Sequence, residues 1–111
     1  MTAPDALTER LHLVNEEAGE LIHATGKTGR HGLDSNWGKG RRNRVSMARE
    51  AGQLIAILDM LVQCGDLDPE IIEAARAEKL VKVHQFLHHD ENQLAAKAAR
   101  LQGSQFARVG G

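Results

Sequence analysis

A six-residue pattern occurs twice in this chain, 33 residues apart: Glu17-Ala18-Gly19-Glu20-Leu21-Ile22 and Glu50-Ala51-Gly52-Gln53-Leu54-Ile55. Apolar residues around each copy fall at helical spacing, at Leu7, Leu11, Val14, Ala18, Leu21 and Ile22, and again at Met47, Ala51, Leu54, Leu58 and Leu61. No run shows the alternation of a strand. Two amphipathic helices of one pattern each have a stripe to bury, and an all-α fold is the consequence. At about 100° per residue, each copy puts its alanine at the centre of the stripe. Glu17 and Glu50 then share one edge, with Glu20 and Gln53 about 60° further round on that side.

The remaining elements follow from end signals. Thr2, Pro4 and Asp5 mark the start of the first helix, and Gly26 is a plausible stop. The second helix spans about Asn43 to Cys64 and ends at Gly65. Asp68-Pro69 reads as a cap followed by a proline in the first turn, opening a third helix through Ile72, Leu80, Val83 and Leu87. Asp90 with Gln93 caps a short fourth helix through Leu94, Ala98 and Leu101, and Gly103 to Gly111 is expected to fray. Residues 26–42 hold five of the eleven glycines and no periodic pattern, which reads as a long functional loop. The expected architecture is a helical bundle of three long helices plus a short C-terminal helix. Residues 1–90 form the domain, and residues 91–111 the short helix and tail.

At 111 residues with only three aromatic side chains, Trp37, Phe86 and Phe106, the core must come from Leu, Ile, Val and Ala. A chain of this size often completes such a core by oligomerising, so a homodimer or homotetramer is expected. The longest unbroken apolar run, Leu54 to Leu58, is too short for a bilayer, and no basic-then-apolar leader opens the sequence. The one cysteine, Cys64, makes no internal disulfide. A cytoplasmic protein without a membrane partner is the expectation. The net charge of −1 conceals segregation: residues 26–49 carry seven bases and one acid, between acidic segments on either side. Such a local basic stretch suits a small anion better than nucleic acid.

A glutamate on the flank of one amphipathic helix is usually a solvated rim. Two copies in one phase are more informative, because packing the stripes together would converge three carboxylates and one amide. The small Ala-Gly steps would let the backbones approach. Crowded carboxylates repel, and a hard oxygen-seeking cation such as Mg²⁺ relieves the repulsion.

The order of these motifs resembles the MazG-like all-α nucleoside triphosphate pyrophosphohydrolases. The likeness covers about residues 10 to 89. It includes Gly26-Lys27-x-x-Arg30-His31-Gly32, Asn43-Arg44 at the start of the second helix, and Lys79-Leu80-Val81-Lys82-Val83 on the third. The resemblance implies hydrolysis of a nucleoside triphosphate to monophosphate and pyrophosphate. It further implies Mg²⁺ on Glu17, Glu20, Glu50 and Gln53, with Glu17, Glu20 and Glu50 as the catalytic acids. Gln53 departs from the family pattern, which has an acid there, usually Asp. An amide oxygen still ligates Mg²⁺, but without charge. A non-catalytic nucleotide-binding relative that sequesters nucleotide or regulates a partner is therefore the alternative. A helical RNA- or protein-interaction module is a second.

Lys27 and Arg30 follow the first helix and are candidates for the phosphates, although bases near a helix C-terminus also answer the helix dipole. Arg41, Arg42 and Arg44 are expected to be solvated or paired with acids. Arg76 and Lys79 share the apolar side of the third helix, where they either meet phosphate or lay their stems on apolar surface. Trp37 and His31 are candidates for contacting the base, with an oligomer contact as the other reading of Trp37. Gly26-Lys27-Thr28 is no phosphate loop, since Leu21 stands where the leading glycine belongs and no strand precedes it. His84, His88, His89 and Asp90 lack further ligands at zinc spacing.

Overall fold

Asp5 and Gly32 set the ends of the first helix. The Asp5 carboxylate accepts a hydrogen bond from Thr8 N at 2.7 Å, satisfying one of the amide donors that a helix start leaves open. At the far end Gly32 takes φ 91°, a left-handed value that favours glycine, and its amide donates to Thr28 O. In this computed structural model, which describes residues 4–36 and 40–102, the helix α1 spans Ala6–His31. It therefore runs through Gly26, the expected stop, and through Gly29. A helical glycine costs only about 1 kcal/mol against alanine, which neighbouring structure overrides. The chain ends the helix only at Gly32, where positive φ makes continuation impossible. The connection shrinks to residues 32–42, and Lys27 and Arg30 lie on helical turns of α1 instead of following it.

Helix α2 spans Asn43–Gln63. It ends in a Schellman motif, with Asp66 N donating to Leu61 O at 2.8 Å and Gly65 N to Val62 O, while Gly65 adopts φ 84°. The two helices form an antiparallel hairpin tied at both ends. Where they meet at the connection, Asn43 Nδ2 donates to Gly32 O at 2.9 Å, Asn43 N to Ser35 O and Arg44 N to Leu33 O. At the other end Arg10 holds Asp66 through two parallel bonds, Nε to Oδ2 at 2.6 Å and Nη2 to Oδ1 at 3.0 Å. That guanidinium keeps the Asp66 carboxyl below its ordinary range, and Asp66 in turn raises Arg10.

The described residues fall into two compact units, one ending at Asp66 and one beginning at Leu67. In the second, Asp68 caps α3, Pro69–Lys82, by accepting from Glu70 N at 2.9 Å, as its Asp-Pro start implies. The chain tightens into a 3₁₀ turn, Val83–Phe86, so α3 stops short of the expected Leu87. Helix α4, Asp90–Gln102, follows, with Gln93 Nε2 donating back to Leu87 O at 2.9 Å. At 13 residues α4 is nearly as long as α3, at 14. The chain is all-α, with no strand among the described residues, and no described helix is long and apolar enough to cross a membrane. Thr2 and the tail from Gly103 lie outside the described residues.

Candidate functional site

The seam between α1 and α2 differs from the expected one by a rotation of each helix. Glu17 and Glu50, expected at its rim, are half-buried like the expected central Ala18 and Ala51, together with Val14, Leu21 and Ala24 of α1 and Met47, Leu54 and Leu58 of α2. Ile22, expected inside, is 71% exposed, and its counterpart in the second copy, Ile55, is 56% exposed. Each helix carries more apolar surface than one neighbour can cover, and the hairpin uses the side bearing the carboxylates. The glycines do not serve close approach either. A Cβ on Gly19 or Gly52 would meet nothing within 4 Å, so both face open space in this chain.

The two motif copies nevertheless meet. Gln53 lies between the carboxylates, its amide nitrogen donating to Glu50 Oε2 at 3.1 Å and to Glu17 Oε2 at 3.3 Å. In the opposite amide orientation, oxygen would face oxygen at both contacts. One amide thus bridges the acid of its own helix, one turn away, and the acid of the facing helix. Glu20 is exposed one turn along α1 from Glu17, towards the connection. Only oxygen and amide groups are present, a donor set that fits Mg²⁺ once Gln53 turns its oxygen inward. Among the described residues no three His, Cys, Asp or Glu side chains are grouped to hold a metal.

The helical repeat sorts the surrounding residues onto two sides. Glu20 and Gln53 each lie about 60° to one side of the seam glutamates, as do Lys27 at about 80° and Ser46 at about 40°. Ile22 and Ile55 lie about 140° round in the other sense. Antiparallel helices carrying one pattern are related by an approximate two-fold axis normal to the hairpin, so equal rotations bring residues to the same side. One side is polar and holds the open part of the glutamate cluster. The other is apolar and holds both isoleucines.

On the polar side, near the connection, a cleft of about 500 Å³ is lined by Lys27, Asn36, Gly40, Arg41, Asn43 and Ser46. Asn43 is only 6% exposed, its amide committed to Gly32. The neighbouring arginines are engaged: Arg44 Nε meets Asp34 Oδ1 at 2.8 Å and Arg42 approaches it at 3.8 Å. These cations, Arg44 first, hold the Asp34 carboxyl below its ordinary range. The cleft was not expected from the sequence, which treats Arg41, Arg42 and Arg44 alike.

His31 and Arg30 are exposed in the last turn of α1. Arg76 and Lys79 belong to α3, in the second unit, where Arg76 is held by Glu73 through two bonds of 2.8 and 2.7 Å. Trp37 lies outside the described residues. No family model, no curated protein and no solved structure matches the chain.

Proposed function

We propose that the chain is a Mg²⁺-dependent nucleoside triphosphate pyrophosphohydrolase with its reacting centre on the polar side of the α1–α2 hairpin. The observation that supports this most is the bridge from Gln53 to both Glu17 and Glu50, which joins the two motif copies across the seam. The reaction adds water to the α-phosphorus and breaks its bond to the oxygen leading to the β-phosphate, yielding monophosphate, pyrophosphate and a proton. Glu17, Glu50 and, once its amide turns, the Gln53 oxygen would hold the cation, with Glu20 beside them. The chemistry a bound Mg²⁺ would supply is the offset of phosphate charge at the site of attack. Glu20, exposed and one turn from the bridge, orients the water and accepts its proton. The apolar side bearing Ile22 and Ile55 is covered by a second copy, giving a homodimer or a homotetramer.

The test is a panel of nucleoside and deoxynucleoside triphosphates with Mg²⁺, scored for monophosphate and pyrophosphate. Release that disappears in Glu17→Gln and Glu50→Gln is the expected result. Absence of release across the panel refutes catalysis. The second reading, a nucleotide binder without turnover, is favoured by the same bridge, because Gln53 quiets the two carboxylates by donating to them and needs no cation to do so. It predicts thermal stabilisation by a triphosphate without product.

A further inference from the structure

We propose that the cleft at the hairpin connection binds a phosphoryl anion and, on the reading above, holds the leaving pyrophosphate end of the substrate. Three observations carry this. Two cations from different elements, Lys27 of α1 and Arg41 of the connection, line one concavity with the Ser46 hydroxyl and Asn43, and among the described residues no carboxylate lines it. Asp34 engages Arg42 and Arg44, while neither Lys27 nor Arg41 has an ion-pair partner among the described residues. Two cations brought together without an acid repel each other, and an anion with several acceptor oxygens relieves that repulsion. The cleft also lies in line with the glutamate cluster. Lys27 is seven residues beyond Glu20 on α1, and Ser46 seven residues before Gln53 on α2, about 10 Å along each axis. A long lysine side chain leans back along its helix towards the N-terminus, and so from Lys27 towards Glu20. An extended polyphosphate then runs from the acids to the cleft, with its reacting phosphate at one end and its terminal phosphates at the other.

The test titrates inorganic pyrophosphate, inorganic phosphate and a nucleoside triphosphate into the full chain without Mg²⁺, read by calorimetry and thermal shift. The proposal expects pyrophosphate to bind, and Lys27→Met and Arg41→Met each to weaken it by about tenfold or more, the scale of one charge-assisted hydrogen bond. Glu50→Gln is expected to leave that binding intact or tighten it. Circular dichroism identifies any variant that fails to fold, and Ser46→Ala gives a milder second probe of the same cleft. Pyrophosphate that binds the Lys27 and Arg41 variants as tightly as the parent overturns the cleft, as does failure to bind at millimolar concentration. A triphosphate that binds no tighter than pyrophosphate supports the cleft as a site for the free inorganic anion. Cleft binding without triphosphate hydrolysis sinks the enzymatic reading alone. Hydrolysis with an unchanged KM in both cation variants sinks the cleft alone.

Discussion

Replacing Gln53 by aspartate turns the bridge between Glu17 and Glu50 into a third negative charge. The substitution removes two donated hydrogen bonds, at 3.1 and 3.3 Å, each worth about 0.5 kcal/mol at a site this open. It adds two repulsions, each about 1 kcal/mol at 4 Å in water and larger as the local dielectric falls. Their sum is about 3 kcal/mol of lost stability without divalent metal, a fall in melting temperature of more than about 10 °C for a unit of this size. Gln53→Ala loses only the hydrogen bonds and falls by about a third as much. The assay is thermal melting of parent, Gln53→Ala and Gln53→Asp at low ionic strength, with and without millimolar Mg²⁺ against matched NaCl. Magnesium should restore the aspartate variant most, the alanine variant least, and raise its turnover of triphosphate. An aspartate variant as stable as the alanine variant in metal-free buffer would refute the reasoning, because the carboxylates would then not face position 53.

Leu61 is 3% exposed, so Leu61→Ala should cost about 2–5 kcal/mol in chemical denaturation. Asn43→Ala strands the Gly32 carbonyl and should cost about 1–3 kcal/mol. Asp5, Asp34 and Asp66 all ionise more readily in the folded chain than their ordinary value of 3.8, so their contribution is complete above that pH and is lost as pH falls through their depressed values. Acid melts of the parent should therefore decline below about pH 4, and less steeply in Asp66→Asn. Ile55→Lys places a charge on the apolar side and should convert an oligomer to monomer in sedimentation, whereas a parent already monomeric would dismiss the homo-oligomer.

The helices were legible because their end signals are local. Gly65 acts through its own backbone and Asp68 through its carboxylate on Glu70 N, and α3 begins, and α2 ends, where those residues imply. The end of α1 was misplaced because a glycine only permits a stop, and the decisive bond, from Asn43 to Gly32, spans eleven residues of sequence. Phase alone implies a convergence of Glu17, Glu20, Glu50 and Gln53 for a seam centred on the alanines, of which Glu17, Glu50 and Gln53 meet while Glu20 stays exposed. Periodicity sums all apolar surface into one stripe and cannot say which part meets which neighbour. That is why Ile22 falls in the expected stripe although it lies exposed. The cleft was hidden for another reason: whether Arg41 or its neighbours stay unpaired depends on where Asp34 points, which composition does not record.

The repeated pattern has a consequence for how the helices choose each other. Since α1 and α2 carry the same six-residue pattern but for Glu20 against Gln53, α1 is a plausible mate for another α1, and α2 for another α2, in a second chain. An α1–α1 pair would bring two copies of Glu17 and Glu20 together with no amide among them, and an α2–α2 pair would set two amides against two acids. Only the mixed pair gives Glu17 a donor from across the seam. Gln53 thus acts as a sorting residue, penalising the like pair of α1 and leaving the connection at 32–42 to decide whether the mixed pair forms within one chain or between two. Shortening that connection by a few residues would keep every seam contact and exchange the helices between protomers, turning a hairpin into a swapped dimer.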